Sequence, residues 1–489
     1  MATITSTGIG SGLDIETLIT KLVALERTPI TQLTTQTTKL QTQLSSYGKI
    51  QSALANLRDA ASKLTRPDTW AATTASSSDA SSVSVTSAST DGSIAAAGNV
   101  SVQVNKLASA QTVASKVLPA SPASVGQGSI TIELGQWNAD QSAFTAKDGV
   151  TAITVDIGAG EDQLTQIRDK INAARPGVGA TVVTDSNGSR LVLRGNDTGV
   201  ANGFRVTVND ADGNNGDDAG LSALAFDPTA GVNIANQKLA AGNAAAIVNG
   251  IDISSASNNL TGVVTGLNIS LQKTTVGDVS LSVGADTVSI KKAITDMAAA
   301  YNGVATLLRE QTKAVPLARG STDASTSGPL QGDTTVVSLQ NQLRNLVGSS
   351  STLGGGLARL TDIGLEPSAT GTLTTNDTKL TAALGNLDNM KQLFMGLDTN
   401  NPDNNGIAQR LRSLGDVALG TDGRLTSRQT GLQSRISDNG KRNNELEARV
   451  ALTETRLRAR YTALDTQMAK LTSLSSYVTQ QFGTTSSNR

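Results

Sequence analysis

The sequence predicts a multidomain α+β protein. Long coiled-coil helices at both termini and a helical bundle flank inserted, antiparallel β-rich head domains. Three observations predict this. Apolar residues recur at steps of three, four and seven near both ends. Alternation with period two replaces that rhythm between about residues 76 and 284. Two Asn-Gly dipeptides, 187–188 and 249–250, sit between alternating apolar runs, where type I′ hairpin turns need positive φ.

The chain opens MATITSTGIGSGLDIETLITKLVALER. Gly8, Gly10 and Gly12 lead into a helix, as phosphate-binding loops do. No buried strand precedes them and no Gly-Lys-Ser/Thr follows, so a nucleotide site is excluded. The glycines read instead as a flexible lead. Asp14 is expected to cap the helix, with Glu16 in its first turn and Leu13 and Leu18 forming a hydrophobic staple. Thr28 is expected to cap a second helix, with Pro29 as its first residue. Leu33, Leu40, Leu44, Tyr47, Leu54, Leu57, Ala61 and Leu64 carry the apolar rhythm until Arg66-Pro67 stops it.

In the middle, Val83/Val85, Val100/Val102/Val104, Ile130/Ile132/Leu134 and Val279/Leu281/Val283 alternate as half-buried strands do. One short helix, EDQLTQIRDKINAA, places Leu164, Ile167 and Ile171 on one face. Helices return at Asp286: Ile290, Ile294, Met297, Tyr301, Val304 and Leu308 form one stripe, and Val336, Leu339, Leu343 and Leu346 a second. Linkers are expected at SSSDASS, ASPASVGQG and RGSTDASTSG.

At the carboxyl end Ile436, Asn443, Val450, Leu457, Leu464, Leu471 and Val478 recur at strict sevens. Leu425, Leu432, Leu446 and Leu474 keep a second seam. A helix from Leu425 to Phe482 would run roughly 85 Å at 1.5 Å per residue. Asp438/Arg442, Glu445/Arg449 and Glu454/Arg458 are spaced for i,i+4 ion pairs. Asn439, Asn443, Thr453 and Arg460 interrupt the seam, so it needs a partner: the amino-terminal helix and other subunits. The expected domains are a terminal coil (1–40 with 450–489, disordered when free), a bundle (41–75 with 285–449), a first β domain (76–122 with 242–284) and a second (123–241).

Composition narrows function. The 489 residues include 40 basic and 41 acidic side chains, for a formal charge of −1, which argues against a nucleic-acid or membrane-surface partner. Neither cysteine nor histidine occurs, which removes thiolate, imidazole, zinc and disulfide chemistry. Aromatics are 2 % of residues, so cores of Leu, Ile, Val and Ala are expected. The start lacks the charged and apolar regions of a Sec signal, and no stretch is apolar enough to span a membrane. Asn209–Gly220 is acidic, but Asn215 and Leu221 stand where a calcium loop needs Gly and Glu, so it reads as a solvated turn. Asp377 and Asp388 read as first-turn residues of short helices, and Trp70 and Trp137 as packing residues. No catalytic, cofactor or metal site is expected, and the chain is not expected to be an enzyme.

Several stretches resemble the bacterial flagellar filament-capping family, the hook-associated protein 2 family. ITSTGIGSGLDIETLITKLVALERTPI is similar to its amino terminus, and AAIVNGIDISSASNNLTGVVTGLNISLQK to the block closing its head domains. GPLQGDTTVVSLQNQLRNLV and LTDIGLEPSATGTLTTNDTKLTAALGNLDNMKQLF are similar to its central helical region, and YTALDTQMAKLTSLSSYVTQQF to its carboxyl end. DQLTQIRDKINAARPGVGATVVTDSNGSRLVLRG resembles the β-α-β unit that flagellins and hook-junction proteins share.

The resemblance implies a ring of subunits, five favoured, at the distal tip of the flagellum. Helical legs would enter the filament end and β heads would form a plate. Flagellin would fold beneath that plate and add to the tip. The implied partners are the chain itself, flagellin, the hook-filament junction protein and an export chaperone at the carboxyl helix. There would be no membrane insertion, and export would use the flagellar type III channel without a cleaved signal. The contact seam is expected at Leu18, Leu22, Leu25, Leu33, Leu40, Leu44, Ile436, Val450, Leu457, Leu464, Leu471, Val478 and Phe482. The alternative is a tip adhesin whose β head binds mucin or host glycans.

Overall fold

The computed structural model describes residues 14–87, 95–118, 124–316 and 327–483. The chain divides into two compact units, Met1–Trp70 with Thr287–Arg489, and Ala71–Asp286. The glycines Gly8, Gly10 and Gly12 and the expected staple residue Leu13 lie outside the described residues.

Helix α1 (Ile15–Glu26) starts where Asp14 accepts from the Thr17 backbone N–H at 3.0 Å. Helix α2 (Thr28–Leu64) follows after one residue. Thr28 is not its cap. Arg27 holds that position with helical backbone angles (φ −78°, ψ −11°), Thr28 is already helical, and no side chain caps the helix. The chain never enters the extended conformation that a side-chain cap requires. Arg66 precedes α3 (Pro67–Ala71), whose Trp70 donates to the Leu64 carbonyl at 2.8 Å and stacks on Phe394.

The inserted unit contains, in order, β1 (Thr73–Ser77), β2 (Val83–Ser87), β3 (Gly98–Lys106), β4 (Thr112–Ala114), β5 (Gly128–Trp137), β6 (Phe144–Ala146) and β7 (Ile153–Ile157). Helix α4 (Leu164–Ala174), β8 (Val178–Asp185), β9 (Gly188–Gly195), β10 (Gly203–Asp210) and β11 (Gln237–Leu239) follow. Strands β12 (Ala244–Val248), β13 (Ile251–Ser255), β14 (Asn259–Thr261), β15 (Leu267–Leu271) and β16 (Val279–Ala285) complete it.

Two cores form. Sheets β1-β16-β3-β12-β13 and β14-β15-β2 bury Val83, Val102, Val104, Leu267, Ile269 and Leu281 between them. Sheet β10-β5-β6, with β7 also on β5, shares a second core with β11-β4-β9-β8 and with Leu164, Ile167 and Ile171 of α4. Trp137 packs there against Phe144 and Phe226.

Asn249 (φ 50°) and Gly250 (φ 80°) make the expected turn between β12 and β13. The other hairpin forms, but one residue away from the expected turn. Asp185 pairs with Gly188, so Ser186 and Asn187 are its loop. Gly188 is needed for a different reason: a Cβ there would stand 2.2 Å from the Leu118 carbonyl oxygen. The expected linker SSSDASS is an ordered turn. Asp79 accepts from the Ser81 and Ser82 backbone N–H groups, and hydroxyls of Ser82 and Ser81 hold its carboxyl below the usual range. Of ASPASVGQG, residues from Ser124 onward are described, and Val125 is buried in the second core. Ala120–Ala123, and Arg319–Thr326 of the third expected linker, lie outside the described residues. The acidic loop from Asn209 to Gly220 is only partly solvated: Asp210 is buried and accepts from the Ser222 N–H at 2.9 Å.

The chain returns through α5 (Thr287–Thr312), α6 (Thr334–Gly348), β17 (Leu365–Pro367), β18 (Leu373–Thr375), α7 (Asp377–Ala383), α8 (Leu387–Met395), α9 (Ile407–Leu419) and α10 (Arg424–Gly483). All six residues of the α5 stripe are buried against Tyr47, Ile50, Leu54, Leu57 and Leu64 of α2 and Val336, Leu339 and Leu343 of α6. Asp377 and Asp388 fall in the first turns of α7 and α8.

Tyr47 is fully buried in this bundle. Burial, then the Asp333 carboxylate, pushes its phenol up to about 12. Burial also raises Tyr301. An unfolded tyrosine titrates near ~10. The raised folded value favours the neutral phenol, so this stabilisation is complete below pH ~10 and is lost as pH climbs towards ~12. Urea midpoints followed by circular dichroism should therefore fall across that window, and Tyr47→Phe should shrink the fall. An undiminished fall in Tyr47→Phe would sink the assignment.

Candidate functional site

The terminal helices pack through a short apolar seam. On α1, Ile15, Ile19 and Val23 repeat every four residues and are buried, as is Ile30 at the start of α2. They pack on Val450 of α10, with Leu446, Leu457 and Tyr461 around it. Bidentate contacts from Arg458 to Glu16, at 2.8 and 2.6 Å, close one end. Arg27 to Glu447, at 3.2 Å, closes the other. Since 16 meets 458 and 27 meets 447, α1 runs antiparallel to α10. These pairs are exposed, so each contributes roughly 0–1 kcal/mol. Burying one Ile or Val side chain contributes about 1.5–3 kcal/mol, so the apolar stripe dominates.

Further along, α2 and α10 meet through a polar contact, Asn439 Nδ2 donating to Thr37 Oγ1 at 3.2 Å. Asn443 Oδ1 is buried there without a hydrogen-bond partner among the described residues. Of the three expected i,i+4 ion pairs, Glu454–Arg458 closes at 3.2 Å. Asp438 instead meets Lys441 at 3.7 Å, and no ion pair joins Glu445 to Arg449 among the described residues.

The expected contact residues separate into three groups. Leu40 is buried in the bundle, with Leu44 and Ile436 packed against it, and Leu33 is half-buried on α2. Val450 and Leu457 belong to the α1–α10 seam. Leu18, Leu22, Leu25, Leu464, Leu471 and Val478 are exposed, Leu25 by 72 %. The α1 leucines thus do not enter the seam within the chain. Phe482 lies in α10, but its side chain is outside the described residues. Ile15, Ile19, Val23, Ile30 and Tyr461 were missed as seam residues. The four-residue spacing of Ile15, Ile19 and Val23 was the available signal. Leu18 and Leu22 carry the same spacing on the adjoining flank of the helix, so periodicity alone does not say which flank turns inward.

Among the described residues, no group of three or more acidic side chains converges as a metal site would, and no helix is long and apolar enough to cross a membrane.

This organisation can be set beside known proteins. The flagellar hook-associated protein 2 of Escherichia coli (strain K12) is 31 % identical over 497 residues, covering 100 % of both chains. The chain belongs to the flagellar hook-associated protein 2 family. Its family profiles match in two blocks, the amino-terminal one at residues 11–111 and the carboxyl-terminal one at 241–473. A flagellin hook IN motif matches residues 143–197, the stretch holding β6, β7, α4, β8 and β9. The family member from Salmonella typhimurium is 30 % identical over 486 residues, covering 99 % of each chain. Among solved structures, the D1-D2-D3 domains of the E. coli flagellar cap protein FliD match with a TM-score of 0.55 at 28 % identity, over 79 % of this chain and 99 % of that one. The fold is α+β, with long helices beside antiparallel sheets.

Proposed function

We propose that this chain caps the distal end of the flagellar filament, promotes the folding and insertion of arriving flagellin, and prevents loss of exported subunits. The single observation that carries this reading is full-length likeness to the hook-associated protein 2 of E. coli, together with the match to the E. coli flagellar cap protein FliD. The terminal seam supports it. An antiparallel helix pair with a short buried stripe, a polar interruption and exposed leucines on both helices suits a leg completed by neighbours. The chain assembles as a ring, five copies favoured. Leu18, Leu22 and Leu25 of α1, with Leu464, Leu471 and Val478 of α10, contact other copies and the filament end. Contacts with the hook-filament junction protein and with an export chaperone at α10 belong to the same reading, as do export through the flagellar channel and residence at the flagellar tip.

The test is genetic. A strain lacking this chain should secrete flagellin as monomer and carry no filaments, and purified chain added outside should restore filament growth. Normal filaments without it would overturn the proposal.

A further inference from the structure

The sequence holds seven Asn-Gly dipeptides: 187–188, 202–203, 215–216, 249–250, 302–303, 405–406 and 439–440. Each offers one reaction. The unhindered glycine amide nitrogen, once deprotonated, bonds to the asparagine Cγ. The Cγ–Nδ2 bond breaks and ammonia leaves. Water then opens the five-membered succinimide at either carbonyl, giving aspartate or isoaspartate. The sum is asparagine plus water to aspartate or isoaspartate plus ammonia, with no oxidation or reduction. The carboxamide must first swing over the following nitrogen.

Six of these carboxamides are held by the fold. Asn302 both donates to the Leu373 carbonyl (2.8 Å) and accepts from the Leu373 N–H (2.6 Å), within α5. Asn202 donates to the Thr198 carbonyl and accepts from Lys147 Nζ, both at 2.6 Å. Asn215 accepts from the Asp210 N–H (2.7 Å), Asn249 from the Ser101 N–H (2.9 Å) and Asn405 from the Asp398 N–H (2.6 Å). Asn439, within α10, donates to Thr37.

Asn187 differs. It is exposed in the β8–β9 loop, and its carboxamide makes no hydrogen bond among the described residues; only its backbone N–H is held, by Asp185 Oδ1 at 2.7 Å. We infer that Asn187 is a spontaneous modification site at which this chain gains a carboxylate, while the other six asparagines persist. The new charge would sit two residues from Asp185, whose nearest cation is Arg190 at 4.0 Å. Isoaspartate would also add a backbone methylene directly before Gly188. That glycine lies against the Leu118 carbonyl, next to the reciprocal bonds between Leu118 and Ser189 (2.9 and 3.0 Å), so the added length displaces this pairing. Copies of different age would thus differ at one hairpin tip.

The experiment ages full-length folded protein in mildly alkaline buffer and maps peptides by mass spectrometry. Asn187 should convert roughly tenfold faster than any other Asn-Gly site, a rate ratio equivalent to about 1.4 kcal/mol. In chemically denatured chain the seven sites should convert at similar rates. Asn187→Gln, at a position without positive φ, should remove the dominant conversion from the folded protein. Faster conversion at any held site, the same ranking in denatured chain, or an unchanged total in Asn187→Gln would overturn the inference.

Discussion

A chain ending at Glu445 should keep a folded helical bundle and lose all capping activity. Among the described residues, the bundle core draws on α10 through Leu425 and Leu432, with Ile436 packed alongside, and all three remain. What disappears is the partner of α1. Ile15, Ile19, Val23 and Ile30, each less than a tenth exposed, would face water. At about 1.5–3 kcal/mol per side chain, that is more than a short helix can bear. Isolated helices below ~12–15 residues are marginal in water, and α1 has 12. So α1 should melt with the deletion. Circular dichroism should show helicity lost beyond the removed residues, while the main thermal transition stays. Cells carrying this chain should secrete flagellin and build no filaments. Normal-length filaments from the truncated chain would sink both the seam assignment and its role in the leg.

Asp333→Ala should be the most damaging single exchange of a polar residue in the bundle. Asp333 caps α6, accepting from the N–H groups of Thr335 (3.0 Å) and Val336 (3.4 Å). Its carboxylate also pairs with Arg428 of α10 at 3.3 Å, and its side chain is only 8 % exposed. Losing a cap costs roughly 0.5–2 kcal/mol. Removing one partner of a fully buried ion pair costs about 3–5 kcal/mol, and Arg428 is near half exposed, so a smaller share applies. A total of about 2–3 kcal/mol is expected from urea unfolding. Asp333→Asn keeps an acceptor for the cap and loses the charge, so it should fall between wild type and Asp333→Ala. A loss below about 0.5 kcal/mol for Asp333→Ala would show that neither contact matters.

How much was legible follows from how many solutions a local pattern allows. The α5 stripe has one apolar face, and all six of its residues are buried as the spacing requires. Asn249-Gly250 works because both residues take positive φ. Asp14 caps α1 because its short carboxylate, at the N-cap position, reaches the Thr17 N–H. The misses share a cause: two local solutions of similar merit, decided by a distant contact. Helix α1 is apolar on two faces, and α10 selects the one with Ile15, Ile19 and Val23. At Asn187-Gly188 the Leu118 carbonyl claims the space beside the glycine, and the loop shifts by one residue. SSSDASS has linker composition, yet Ser78 donates its N–H to the Ser280 carbonyl at 2.9 Å, more than two hundred residues away. That the terminal helices share an apolar seam within the chain was legible, since both carry its spacing. Its inward and outward halves were not.

The two charge pairs flanking α1 have a consequence unrelated to adhesion. Glu16 and Arg27 have opposite signs at opposite ends of α1, as Arg458 and Glu447 have along α10. Were α1 to dock head-to-head with α10 instead, Glu16 would approach Glu447 and Arg27 would approach Arg458. Both encounters repel. An apolar stripe cannot tell up from down, because isoleucine packs equally well in either sense. The four charges can, and they write a direction onto a surface that otherwise has none.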